Sequence, residues 1–352
     1  MMYDLMIIGS GPAGLTASIY ASRYKLSNLV IGKLLGGTIT HAYKVENFPG
    51  FKEISGLELG QKMVEQAKSL GAEIMGEEVV RVEIIKNDAE IGESFNVHLP
   101  GAPQAPHHLE GGKRLAESHI SPRRFKIVSQ TNKEFEGKAI IVATGTERRK
   151  LNIPGEKEYL GKGVSYCVTC DAAFFKDKIV VLIGGSNAAC SGALHLANFA
   201  KKIYLIYRKS ELRAEPVWVE EVKENSKIEV IYETNITKIL GVGEIRGVGS
   251  VGENERVGGV ELNKPHNKSN ILLTDGVFIE IGGMPAGEFL RPLGVEFNED
   301  GYVKVSEKME TNISGIFAAG DVTDKSLILS QAITACGLGA IAANSVFEYL
   351  KS

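Results

Sequence analysis

The feature that most restricts how this 352-residue chain folds is a local plan that occurs twice. The first copy starts with Asp4-Leu5-Met6-Ile7-Ile8 and passes through Gly9-Ser10-Gly11-Pro12-Ala13-Gly14. It then enters an Ala/Leu-rich helical pattern to about Arg23, and residues 28–31 (Asn-Leu-Val-Ile) read as a second buried strand. The second copy starts with Lys178-Ile179-Val180-Val181-Leu182-Ile183 and turns at Gly184-Gly185-Ser186-Asn187-Ala188-Ala189. A helix to about Ala200 and a strand Ile203-Tyr204-Leu205-Ile206-Tyr207 complete it. Each copy is a strand, a Gly-rich turn, a helix and a parallel strand within about 30 residues. The chain is therefore of the α/β class and holds two βαβ nucleotide-binding units.

Between the copies the texture differs. Residues from about 80 to 143 alternate apolar and polar, as in Phe125-Lys126-Ile127-Val128, and predict an antiparallel meander returning to a buried strand that ends in Thr144-Gly145. Inside it, about 88–122 is an irregular stretch rich in Pro, Gly and His, including His98, His107, His108 and His119. Such stretches form surface excursions or lids. A Gly-punctuated meander covers about 229–280, and after Gly282-Gly283-Met284-Pro285 the chain ends in a helix from about Ser330 to Leu350.

Length suits two domains. A net charge of -3 carries no nucleic-acid footprint. No apolar run approaches the roughly 18 residues that cross a bilayer. The opening MMYDLMIIGSG has no basic n-region and reads directly as a strand, so the expected location is cytoplasmic and no membrane partner is expected.

In Gly9-x-Gly11-x-x-Gly14 the first glycine permits the tight turn, the second lets backbone approach a pyrophosphate, and the third lets helix pack on strand. The helix start then offers N–H groups to the anion. The acidic residue expected after the second strand for a ribose is absent, with Gly32 or Lys33 there, which leaves water or Thr38 for that contact. The second turn is a degraded version, with Ser186 for the middle glycine and Ala189 for the last. Arg208, Lys209 and Arg213 follow its second strand, where a 2′-phosphate would lie, and favour NADP over NAD. A solvated basic turn is the plain alternative.

Four cysteines in a chain of this length are not a disulfide framework. One pair is close, in Cys167-Val168-Thr169-Cys170-Asp171. A Cys-x-x-Cys at a turn can close a small disulfide ring, and Asp171 is placed to move the protons a dithiol–disulfide cycle requires. Half a zinc site and an inert buried pair are the other readings, but Cys190 and Cys336 stand alone with no His at finger spacing. Those two read as packing residues. His41, His195 and His266 read as structural, the four histidines of 88–122 as a polar loop, and no metal is expected.

Assembled, these parts resemble the low-molecular-weight thioredoxin reductases over nearly the full length. The resemblance rests on GSGPAGLTASIYASR, Gly36-Gly37, VENFPGF (Val45 to Phe51), CVTCDAAFF, YRKSELRAE, TNISGIFAAGDV and QAITACGLGAIAA. The 88–122 stretch departs from that family's short hairpin. The resemblance implies two Rossmann-like, three-layer ββα domains, the second inserted in the first. An FAD-binding domain would span 1–152 and 284–352, and an NAD(P)-binding domain carrying the Cys-x-x-Cys would span 153–283. It further implies that FAD is held by Gly9, Ser10, Gly11, Pro12, Ala13, Gly14, Gly36, Gly37, Thr38, Asn47, Thr144, Gly145, Gly320, Asp321, Gln331, Ala332 and Ile333. NADPH, or else NADH, would lie on Gly184, Gly185, Ser186, Asn187, Ala188, Arg208, Lys209 and Arg213. Electrons would pass through FAD to Cys167 and Cys170, with Asp171 as their acid, and on to the disulfide of a thioredoxin-like or glutaredoxin-like protein. Cys170 is expected to be the flavin-side sulfur. A homodimer is implied, as is domain rotation about linkers near Arg148–Pro154 and Gly282–Pro285. Three other outcomes stay open: another electron donor (ferredoxin or reduced flavin), a small-molecule dithiol oxidase, and a flavin-binding module without turnover.

Overall fold

The structure, a computed structural model, describes residues 2–85, 124–246 and 256–352. The histidine-bearing stretch 88–122 lies outside the described residues. The chain divides into two compact units, one of Met1–Gly37, Gly60–Gly145 and Pro285–Ser352, the other of Thr38–Leu59 and Thr146–Met284.

In the first unit, β1 (Met2–Ile8), β2 (Asn28–Ile31) and β3 (Glu73–Met75) run parallel in the order β3-β2-β1. Leu5, Met6 and Ile7 are all fully buried, as a strand covered on both faces requires. On the other side of β1 lies β6 (Glu134–Val142), parallel to it. The N-terminal half of β6 pairs antiparallel with β5 (Arg124–Ser129), and β5 pairs with β4 (Val79–Ile85). From Ile140 onward β6 instead takes β17 (Ile316–Ala318) as a parallel neighbour. One long strand thus serves the expected meander and the expected parallel sheet together. Helix α1 (Pro12–Arg23) opens with Pro at its first turn, where a missing N–H is harmless. It buries Ala13, Ala17 and Ala21, spaced by one turn, beside α7 (Ala332–Tyr349) with its Ala335, Gly339 and Ala342. The approach is close enough that a Cβ on Gly339 would overlap the Ala13 carbonyl. Helix α2 (Gly56–Ser69) precedes β3.

The second unit begins with β7 (Thr146–Arg148), followed by the short β8 (Val164–Ser165) and α3 (Val168–Asp171). Next come β9 (Ile179–Ile183), α4 (Asn187–Ala197), β10 (Lys202–Ile206), α5 (Pro216–Glu224) and β11 (Ile228–Ile231). Then follow β12 (Ile236–Gly241), α6 (Val242–Arg246), β13 (Val257–His266), β14 (Ser269–Leu273), β15 (Gly276–Ile279) and β16 (Gly283–Pro285). A parallel sheet has the order β11-β10-β9-β15-β8, and β12-β13-β14 form an antiparallel meander. Successive side chains of β9 leave opposite faces of the sheet. Val180 and Leu182 pack with Ala189, Leu196 and Trp218 of the helices, while Val181 and Ile183 pack with Val260 and Leu262 of the meander. Three layers result: helix, parallel sheet, meander. The two segments at the unit boundaries, β7 and β16, pair as a two-stranded ribbon.

Residues 38–59 lie in the second unit, although in sequence they fall between β2 and β3 of the first. Their side chains account for it. The Tyr43 ring stacks on His195 of α4 with centroids 4.0 Å apart, and the Lys44 ammonium lies over the Trp218 ring of α5. The Thr169 hydroxyl donates to the His41 carbonyl at 2.6 Å. No helix among the described residues is long and apolar enough to cross a membrane.

Candidate active site

In the first unit the turn after β1 is a cradle of bare backbone. Gly9 has φ +115°, and a Cβ there would run into the Ala143 carbonyl. A Cβ on Gly14 would run into the Gly9 carbonyl. Gly11 differs: its φ is −84°, and a Cβ there would meet only the Cα of Gly37, at 3.6 Å. A Cβ on Gly37 (φ +73°) would in turn stand 2.4 Å from the Gly11 Cα, so Gly37 packs as a bare-backbone wall directly on Gly11, and the two present main chain together. Gly36 donates its N–H to the Ser10 carbonyl at 3.0 Å and ties that wall to the turn. The expected ribose acid is absent for a local reason. A Cβ on Gly32 would collide with the Ser10 hydroxyl, which donates to the Leu34 carbonyl at 2.9 Å.

Gly320 (φ +78°) brings the β17 turn onto α1, where a Cβ would stand 2.8 Å from that of Ala13. The next residue, Asp321, is half-buried and has no hydrogen-bond partner among the described residues; burial pushes its carboxyl up. A carboxylate left without donors is costly unless a ligand hydroxyl supplies one. Gln331 caps α7, leaving the first amides of an 18-residue helix without intrahelical acceptors. Thr144 donates its hydroxyl to the Ala286 carbonyl at 2.7 Å, and Gly145 (φ +65°) accepts the Ala286 N–H. A backbone cradle, an unpartnered carboxylate and a free helix start fit a dinucleotide's pyrophosphate and hydroxyls. The structure thus gathers Gly9–Gly14, Gly36, Gly37, Gly320, Asp321 and the α7 start in one unit, whereas Thr38 and Asn47 fall in the other, both exposed.

In the second unit Cys167 and Cys170 are joined by a disulfide, with Cys167 capping α3. The Cys170 N–H donates to Cys167 Sγ at 3.2 Å, and the Asp171 N–H to the Cys167 carbonyl at 3.2 Å. Cys170 is exposed and Cys167 half-buried. Phe174 is 74% exposed close by. Sequence reasoning missed Ser165, at the end of the edge strand β8. Its hydroxyl donates to Asp171 Oδ2 at 2.5 Å and accepts the Cys167 N–H at 3.0 Å. Glu156, 5% exposed, accepts the N–H groups of Leu151 and Asn152 and the Tyr166 hydroxyl, anchoring the segment after β7 to the residue before Cys167. The other two thiols are inert: Cys190 is fully buried and its thiol is pushed up to about 11, and burial pushes Cys336 up too.

The second Gly-rich turn keeps its shape with Ser186 and Ala189 in place of two motif glycines. Gly184 (φ +147°) must be glycine, since a Cβ would overlap the Glu280 carbonyl. Ser186 sits at φ −94°, ψ 178°, extended backbone that any residue adopts, and its hydroxyl makes no capping bond to α4. The Tyr207 ring packs on Gly185, whose carbonyl accepts the Arg213 N–H at 2.6 Å. The loop after β10 therefore folds back over the turn. Asn187 and Glu215 exchange two hydrogen bonds and hold it there. Arg208, Lys209 and Arg213 are exposed, and their side chains form no ion pair among the described residues. They are available to an anion.

A half-buried network unforeseen in sequence lies at the end of β15. Glu280 pairs with Arg148 at 3.2 Å, and Arg148 Nη2 lies 3.1 Å from His41 Nδ1. Burial pushes the Glu280 carboxyl up to about 7 against the pull of Arg148, and burial with Arg148 pushes His41 down. Between pH 4.5 and about 7 the folded protein therefore keeps on Glu280 a proton that the unfolded chain has released. This group's contribution is largest below its ordinary value of 4.5 and is lost as pH rises through about 7. The loss is about 3 kcal/mol. Urea midpoints between pH 5 and 7.5 are expected to decline less steeply in Glu280→Gln than in the parent. Parallel declines would refute this assignment.

Comparison with known proteins places the site in context. A family model described as pyridine nucleotide-disulphide oxidoreductase matches residues 3–339. The thioredoxin reductase of Bacillus subtilis (strain 168) is 36% identical over 352 residues, which cover 99% of this chain and 95% of that protein. That of Listeria innocua is 35% identical over 351 residues, with 99% and 94% covered. Among solved structures, the thioredoxin reductase of Lactococcus lactis matches with a TM-score of 0.81 at 32% identity, covering 99% of each chain. That of T. acidophilum gives 0.80 at 31%, again over 99% of each.

Proposed function

The chain belongs to the pyridine nucleotide-disulphide oxidoreductase family, as one of its thioredoxin reductases, and we propose that it passes electrons from NADPH through FAD to a thioredoxin-like protein. The observation that carries the reading is the Cys167–Cys170 disulfide, exposed at Cys170 and built into the unit that holds the second nucleotide turn.

FAD is assigned to the first unit, with its pyrophosphate over Gly11 and Gly37 and a hydroxyl on Asp321. The α7 amides face its negative charge. NADPH is assigned to the second unit, over Gly184–Ala188, with its 2′-phosphate among Arg208, Lys209 and Arg213. When bound, these two groups supply the two-electron transfer that no side chain here performs. The cysteines take those electrons by breaking their S–S bond and return them by exchange with the partner's disulfide. Asp171 exchanges protons with the sulfurs. Phe174 offers the partner an apolar contact beside the reacting sulfurs.

The test is a coupled assay with oxidised thioredoxin, run with NADPH and NADH in parallel. Turnover with neither nucleotide would overturn the reading. Arg208→Ala with Arg213→Ala is expected to raise the KM for NADPH by about tenfold or more and to leave that for NADH within about twofold. Equal effects on both nucleotides would remove the 2′-phosphate assignment.

A further inference from the structure

One side chain of the second unit touches both ends of the redox turn. Ser165 lies at the end of β8, paired opposite Phe278 of β15 and 5% exposed. A serine buried in a strand has one proton to give, and two acceptors compete for it: Asp171 Oδ2 at 2.5 Å and the Cys167 carbonyl at 3.3 Å. The shorter, charge-assisted bond wins. The serine oxygen also accepts the Cys167 N–H at 3.0 Å. The hydroxyl therefore ties the acid that follows the second cysteine to the backbone of the first. Without it the Asp171 carboxylate, on a turn of only four residues, would swing about its own χ1 and χ2.

We propose that Ser165 is a positioning residue for proton transfer in the dithiol–disulfide cycle. It commits Asp171 Oδ2 to a fixed donor, so that Oδ1 is the atom that exchanges protons with sulfur. The proposal rests on the disulfide-reductase reading and deepens it. In the reductive exchange a cysteine thiol of the reduced pair gives its proton to Asp171 as its sulfur attacks the partner's disulfide. A sulfur–sulfur bond to the partner forms, the partner's own bond breaks, and the departing sulfur takes that proton. The second cysteine then gives its proton to Asp171 and attacks the mixed disulfide; the Cys167–Cys170 bond re-forms, the bond to the partner breaks, and the partner's sulfur takes that proton, so that the partner leaves as a dithiol. No further oxidant or reductant is needed, and protons balance. Ser165 gains and loses nothing; it keeps Asp171 in line through both exchanges, and misaligned donors cost rate steeply.

The test uses the flavin-loaded protein with NADPH, read with thioredoxin and, separately, with ferricyanide, an acceptor that needs no disulfide. Ser165→Ala is expected to slow thioredoxin turnover by about tenfold with the KM for thioredoxin and the ferricyanide rate unchanged. Ser165→Thr, which keeps the hydroxyl, is expected to restore at least half the rate. Adding Ser165→Ala to Asp171→Asn is expected to cost nothing further, because the serine acts through the acid. An equal fractional loss in both backgrounds, or an equal loss of the ferricyanide rate, would overturn the proposal. If Asp171→Asn is slow while Ser165→Ala runs at the parent rate, the proposal fails and the reading of Asp171 stands. If Asp171→Asn itself runs at the parent rate, the reading of Asp171 fails and takes the proposal with it. Should Ser165→Ala not fold, Ser165→Thr decides: near-parent turnover supports the role, and a tenfold loss refutes it.

Discussion

Replacing Cys167 or Cys170 with serine is expected to lower NADPH-dependent reduction of thioredoxin by at least about a thousand-fold while leaving the protein folded and yellow. A serine oxygen closes no bond to sulfur, so neither variant can store two electrons in the redox turn. Structure is not at stake, because the ring joins residues three apart. Closing so short a loop restrains the unfolded chain by only about 2 kcal/mol. No other thiol can take over. Cys190 is buried among Ala189, Ala193 and Leu196, with its thiol pushed up to about 11, and Cys336 lies in the other unit on α7. The readout is a ratio. Ferricyanide reduction by NADPH should stay within about twofold of the parent while the thioredoxin rate collapses. A serine variant that reduces thioredoxin at a tenth of the parent rate or better would remove the Cys167–Cys170 pair from the path of electrons.

The parts of this site legible in sequence are those in which local pattern and local chemistry coincide. Gly9, Gly14 and Gly184 announce themselves because each sits where a Cβ would meet a carbonyl, and nothing but glycine satisfies such a turn. The Cys-x-x-Cys closes a ring inside four residues and needs no tertiary information. Ser186, which looked like a degraded motif, costs nothing, since its backbone is extended. What escaped reading depends on partners distant in sequence. Arg148, Glu280 and His41 meet only once β7, β15 and the segment after Gly37 are folded together. Ser165 is close in sequence to Asp171, yet only the end of β8 and the turn of α3 bring its hydroxyl onto that carboxylate. Thr38 and Asn47 fall between β2 and β3 in sequence, but stacking of Tyr43 on His195 and of Lys44 on Trp218 carries their segment into the second unit.

Among the glycines of the first turn, Gly11 alone separates binding from folding, and Gly11→Val is expected to weaken FAD affinity by about a thousand-fold or more without unfolding the apoprotein. At Gly9 a side chain is excluded twice, by φ +115° and by the Ala143 carbonyl, and at Gly14 by the Gly9 carbonyl. Variants there would lose flavin because they lose the turn. Gly11 has φ −84° and ψ −173°, which valine adopts without strain, and its Cβ would meet the Gly37 Cα at an ordinary 3.6 Å. As the residue capping α1 it makes no side-chain capping bond, so substitution costs the helix about 1 kcal/mol at most. The added methyls would instead cover the bare backbone of Gly11 and Gly37, over which the pyrophosphate is assigned. The measurement is flavin titration of apoprotein alongside its urea midpoint. A colourless variant with a near-parent midpoint places the flavin pyrophosphate over Gly11. A variant that binds FAD as tightly as the parent would move it elsewhere, and with it the assignment of Gly37 as the facing wall.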